Sequence, residues 1–211
     1  PERLVALERG VVRATALAGS VRRGATPEED AGLAASLMAS AKDRLEHELV
    51  VRALREGLAE LTDDVRAPEG PETVTMANVQ HLHTPLTARP REGVGLLDLV
   101  ARLHPTPAVG GVPRDEALAW LREHEELDRG WYAAPVGWIG ADGDGEFAVA
   151  LRSALIDGAT ATLFAGCGVM GDSDPAGELA ESELKLRPMM QALEGEVRAG
   201  VGGSAVGEGG S

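Results

Sequence analysis

Apolar residues recur along this chain with two different periods, and the switches between them mark out its elements. The stretch "VVRATALAGS" alternates apolar with polar or small positions, the two-residue period of a strand, and Gly19-Ser20 predicts a turn into the charged loop "VRRGATPEED". From about Glu28 to Leu61 the repeat becomes helical. Leu33, Leu37, Leu45, Leu49, Leu54, Leu58 and Leu61 form one apolar stripe, which predicts a single long helix. Pro and Gly in "DDVRAPEGPET" break it, and "VTMANVQHLHTPL" reads as extended. A short helix, "GVGLLDLVARL", leads into the loop "HPTPAVGGVP", and Pro113 suits the first position of the next helix, "PRDEALAWLREHEEL". Residues 134–170 predict a three-stranded antiparallel meander with turns at "ADGDGE" and "IDGAT", and a last helix begins near Pro175. The Gly/Ser-rich end predicts disorder over 198–211, leaving one folded unit over 1–197. Helices interleaved with antiparallel hairpins predict an α+β fold.

Charge then narrows the partners. Twenty Lys and Arg against 34 Asp and Glu leave a formal charge of −14, which repels nucleic acid and anionic membrane surfaces. No apolar run approaches the roughly 20 residues of a membrane-spanning helix, so a cytoplasmic protein is expected. A single cysteine, Cys167, rules out an internal disulfide framework or a CxxC metal site.

Within this acidic chain two carboxylate pairs share a spacing of three, Asp43 with Glu46 in "AKDRLEHELV" and Glu178 with Glu181 in "GELAESELK". On a helix each pair projects from one face. Taken singly, each reads first as a solvated face. If the two helices oppose one another, the four like charges call for a cation, and an all-oxygen donor set favours Mg2+. His47 reads as a packed side chain rather than a ligand, and Cys167, between two glycines and with no histidine near it in sequence, as a small filler rather than a nucleophile. Arg152, in the expected strand "FAVALRSAL", needs an anion if it faces inward and is a surface residue if it does not. Lys185, four residues beyond Glu181, can neutralise that carboxylate or reach an anion beside a metal.

In order, "PERL", "ALAGSVRRG", "AKDRLEHELV", "NVQHLHTPL", "LHPTPAVGGVPRDEAL", "RGWYAAPVGW", "GDGEFAVALRSAL" and "LFAGCGVMGDSDPAGELAESELK" resemble successive blocks of the chorismate-utilising enzymes, from Pro1 to about Leu193. "LHPTPAVGG" with "QHLHT" resembles the isochorismate synthases among them. Anthranilate synthases carry a PAGTVSGAPK-like segment here, and salicylate synthases a threonine where this chain has Ala108. The resemblance implies antiparallel sheets with helices packed outside. It also implies conversion of chorismate to isochorismate, water adding at C2 as the C4 hydroxyl leaves. Glu46 and Glu181 would hold Mg2+, and Asp43 and Glu178 its waters. Arg152, Tyr132 and the Gly166 N–H would receive the enolpyruvyl carboxylate, and Lys185 would neutralise substrate charge. Gly19, Ser20 and His81 would line the pocket, Ala108 would mark a water-using member, and Glu2 would be the general acid.

One feature departs from the family. Members run to about twice this length by the resemblance, and their general base is a lysine in the N-terminal half. Neither lysine here, Lys42 or Lys185, matches it. Three origins stay open: a fragment, one half of a split enzyme needing its N-terminal half as partner, or a degenerate copy. A non-catalytic partner domain that keeps the fold without the base is the alternative function. The blocks "ATLFAGCGVM" and "REHEELDRGWYAAPVGW" lean toward menaquinone biosynthesis rather than siderophore biosynthesis.

Overall fold

The structure, a computed structural model, describes residues 2–76 and 79–194. The expected tail 198–211 and the boundary at 197 lie outside the described residues. The centre of the fold is one antiparallel seven-stranded sheet. It is built from β1 (Arg3–Glu8), β2 (Val11–Arg22), β3 (Thr62–Arg66), β4 (Glu72–Thr75), β5 (Val79–Pro90), β6 (Pro135–Ile139) and β7 (Gly145–Val149). Six of them run in the order β3-β5-β2-β1-β7-β6, and β4 pairs with the remaining length of β5 beside β3.

β2 does not turn at Gly19-Ser20 as the dipeptide predicts. It runs on to Arg22 in register with β5, with a shift between Ala18 and Ser20. Gly19 takes φ +74, a conformation glycine adopts at little cost, so its freedom serves a bulge inside the strand rather than a turn at its end. The segment expected to be loop after Leu61 likewise supplies β3 and β4.

The helix expected over 28–61 is two, α1 (Pro27–Ala39) and α2 (Ala41–Leu61). Ser40 divides them with extended backbone. Its N–H closes α1 on the Ser36 and Leu37 carbonyls, and its Oγ opens α2 by accepting from the Asp43 N–H at 3.3 Å. α2 turns His47, Val50, Leu54, Gly57 and Leu58 inward. Leu45 of the expected stripe is instead 50% exposed. Alanines 14, 16 and 18 of β2 share the core cluster with Val50, Leu54 and Leu58, and their small side chains admit the helix close to the sheet. Each buried leucine there contributes about 1.5–3 kcal/mol of burial.

α3 (Leu96–Leu103) adds four buried residues. The loop after it holds a single helical turn, α4 (Pro107–Gly110), and Pro113 caps α5 (Arg114–His124) rather than beginning it. The three-stranded meander expected over 134–170 is two separate hairpins. β6 and β7 join the large sheet, while β8 (Ser153–Asp157) and β9 (Thr160–Phe164) pair with each other. The break falls at Arg152, which is not in a strand but at a bend with φ +50. α6 (Pro175–Leu193) follows, capped by Asp174, whose carboxylate accepts from the Gly177 N–H at 2.9 Å. Among the described residues no helix is long and apolar enough to cross a membrane.

Much apolar surface lies open near the later strands. Trp131 is 89% exposed, and Val136, Trp138, Ile139, Leu155 and Ile156 are also exposed. β6 ends the sheet with this surface along it.

Candidate active site

The expected site residues come from distant stretches, and the Lys185 ammonium is where most of them meet. Lys185 lies one helical turn beyond Glu181, with Nζ 2.7 Å from Glu181 Oε1 and 3.2 Å from the Gly166 carbonyl oxygen. Its charge acts on Glu2, Glu46 and His81, which enter from the start of β1, from α2 and from β5. Burial pushes the Glu2 carboxyl up to about 7, against the pull of Lys185. Near neutral pH it therefore keeps a transferable proton in part of the population. The Glu2 carbonyl also accepts from the Val149 N–H at 3.0 Å, which fixes this residue to the sheet.

His81 is 5% exposed and has Nδ1 2.8 Å from Ser20 Oγ. Burial first, then the positive charges of Arg152 and Lys185, lower its pKa to about 4, so the ring is neutral at physiological pH. The bulge at Gly19 sets Ser20 opposite His81 in the β2–β5 register.

Across α2 and α6, Glu46 feels the charge of Glu181, and Lys42 reaches Glu178. Burial, then the Glu181 charge, raises the Glu46 carboxyl, and Asp43 adds to the effect. Glycine backbone presses on both α2 carboxylates: a Cβ at Gly168 would fall 2.9 Å from Glu46 Oε1, and one at Gly19 3.0 Å from Asp43 Cβ. Glu178 is 8% exposed and pairs with Lys42 at 2.5 Å. Burial alone would raise its carboxyl, but hydrogen bonds from Lys42 and Ser173 hold it below the ordinary range. Among the described residues no three His, Cys, Asp or Glu gather closely enough to cage a metal ion. The donors around Glu46 are all oxygens, with glycine backbone close beside them, a set whose chemistry suits a hard, hydrated cation rather than a closed protein cage.

A groove between β5, the Arg152 bend and α6 is lined by Val79, Arg152, Leu184, Lys185, Arg187 and Pro188, among others. Among the described residues three cations and no carboxylate line it, on a chain of charge −14. Among the described residues no carboxylate is paired with Arg152. Tyr132 stacks on Phe164 with ring centroids 5.5 Å apart, and a Cβ at Gly166 would fall 3.1 Å from its hydroxyl oxygen. Tyr132 and Gly166 therefore sit together, and the Gly166 carbonyl ties them to Lys185.

Ala108 stands apart. It lies in α4 against the main core, and no described hydrogen bond or charge contact ties it to the cluster. His47 is a core residue, with Nε2 2.7 Å from Thr84 Oγ1 and 2% exposed. Cys167 donates to the Glu178 carbonyl at 3.4 Å, and burial raises its pKa, which fits a filler rather than a nucleophile. Neither spacing nor resemblance gives a role to Lys42, Gly168 or Arg187. Lys42 stands 136 residues from its partner, so spacing carries no trace of the pairing.

A buried Glu2 carboxyl, a neutral imidazole, the acids of α2 and α6 and the cations of the groove thus lie in one region of the fold. The family model described as "Chorismate binding enzyme" matches residues 1–194, and the chain belongs to that family. Several of its relatives are named isochorismate synthases. The chain is 51% identical over 193 residues to the salicylate biosynthesis isochorismate synthase of Pseudomonas aeruginosa, covering 92% of this chain and 40% of that protein. It is 46% identical to isochorismate synthase MenF of Bacillus subtilis, over 94% of this chain and 42% of that one. The structure of MenF, the menaquinone-specific isochorismate synthase from Escherichia coli, superposes with a TM-score of 0.83 at 33% identity, covering 92% of this chain and 44% of that one. The chain thus spans less than half the length of these relatives.

Proposed function

We propose that this chain carries most of the active site of an isochorismate synthase and acts when joined to the upstream portion that its relatives possess, the completed enzyme. The observation that supports the reading is the gathering around Lys185 of Glu2, His81, Glu46 and Glu181, residues that come from distant stretches of the sequence.

Arg152, Tyr132 and the Gly166 N–H would receive the enolpyruvyl carboxylate of chorismate, a planar anion suited to a guanidinium. Glu2 would donate its proton to the C4 hydroxyl, which departs as water while another water bonds to C2. The proton lost by that incoming water goes to a base outside this chain, since no lysine here occupies that role. Neutral His81, held by Ser20, would line the pocket without adding charge. Glu46 and Glu181 would be the direct protein ligands of Mg2+, with Asp43 and Glu178 holding its waters. A bound Mg2+ would supply the positive charge that lets the ring carboxylate enter beside these acids. Isochorismate leaves the site unchanged whichever enzyme consumes it. Menaquinone biosynthesis is the destination the sequence blocks favour, and quinone content in a strain lacking the gene tests it.

Thermal shifts of the completed enzyme test the site. Mg2+ alone should bind weakly, because it dehydrates reluctantly, and chorismate alone should meet uncompensated carboxylates. Stabilisation by both should exceed the sum of each, with a coupling of about 1–3 kcal/mol. Glu46→Gln and Glu181→Gln should lose the surplus. Additive shifts in the wild type would mean that the pairs are solvated helix faces.

A further inference from the structure

Lys42 gives the carboxylate cluster a cation belonging to the protein itself. It precedes Asp43 on α2, yet its ammonium reaches across to α6 and meets Glu178 Oε1 at 2.5 Å. Glu178 is the one residue that α6 buries. A buried carboxylate one helical turn before Glu181, freed from that contact, would turn to the nearest positive charge. A third direct ligand changes what the cluster prefers. Ca2+ takes six to eight oxygens in adaptable geometry and gains from an added carboxylate, whereas Mg2+ keeps its waters and uses one or two.

We propose that Lys42 is a positioning residue that withholds Glu178 from direct coordination, so that the cluster selects a small hydrated cation over Ca2+. This rests on the Mg2+ reading above. Lys42 thereby does two things at once: it offsets one of the four negative charges and fixes where that carboxylate points.

The test is calorimetric titration of the metal-stripped completed enzyme with Mg2+ and, separately, Ca2+. Lys42→Met should tighten Ca2+ by about ten-fold, the scale of removing one partly screened charge, and Mg2+ by less, so the Ca2+ preference rises. Lys42→Arg, which keeps the charge, should retain the wild-type preference. Lys42→Met combined with Glu178→Gln, which removes both members of the pair, should return toward it. Should the methionine variant misfold, Lys42→Gln carries the same expected direction. An unchanged Ca2+ to Mg2+ ratio in the uncharged variants, with Mg2+ binding still weakened by Glu181→Gln, overturns the role of Lys42 and leaves the metal site standing. Wild-type titrations showing no Mg2+ binding that Glu46→Gln or Glu181→Gln alters overturn both.

Discussion

Replacing Glu2 by glutamine keeps the shape of the side chain and removes both its proton and its charge. In the folded chain this carboxyl titrates near 7 instead of 4.5, because burial disfavours the anion. The folded state therefore binds a proton more tightly than the unfolded state, and stability falls as pH rises from about 4.5 through 7. Once the group is ionised in both states, the full penalty is about 3 kcal/mol. Glu2→Gln has no such penalty. Its unfolding free energy, from urea titrations between pH 4 and 8.5, should match the wild type near pH 4 and exceed it by up to about 3 kcal/mol at pH 8.5. Activity should move the opposite way. In the completed enzyme the variant should lose roughly 100-fold or more in kcat, the scale of general acid catalysis, with substrate affinity little changed. Wild-type kcat should fall as pH rises through 7. Parallel stability curves for the two proteins would refute the burial argument, and wild-type turnover in the variant would refute the acid.

Other expectations follow from the same site. His81, with its pKa lowered from 6.5 to about 4, contributes stability that is full above 6.5 and lost as pH falls toward 4; His81→Asn should remove that dependence, and an NMR titration of the ring should place its midpoint near 4. Gly168→Ala sets a methyl 2.9 Å from Glu46 Oε1, so divalent-cation affinity should drop about ten-fold while circular dichroism stays unchanged. This chain alone should self-associate through the surface around Trp131, Trp138 and Ile139, and Trp138→Lys should reduce the mass seen by light scattering with size-exclusion chromatography.

Sequence showed the α+β class and most of the apolar faces, but not every boundary between elements. Spacing marked Glu46, Glu181 and Lys185, and resemblance alone marked Glu2 and His81; the fold sets them near one another. Local geometry was harder to read, because one residue type can serve two backbone needs. Gly19 promised a turn and supplies a bulge. Ser40 stood inside a regular apolar stripe, and a serine in that setting reads as a tolerated helix residue until its hydrogen bonds to Ser36, Leu37 and Asp43 show a cap on both sides. Arg152 occupied an alternating pattern that continues through it, and nothing in that pattern signals the left-handed bend that ends β7 and begins a separate hairpin. Periodicity reports which faces are apolar, not where a strand changes sheets.

The two helices that bring the carboxylates together are anchored differently. α2 drives Val50, Leu54 and Leu58 into the main core, while the one residue α6 buries is the charged Glu178. Local opening is set by how much apolar contact an element must give up, so α6 can lift from the body at a fraction of the global unfolding free energy. Its amide hydrogens should exchange with solvent well before those of α2. Any ligand that bridges the pairs must then hold the less protected helix against the more protected one, and part of its binding energy is spent in closing that gap.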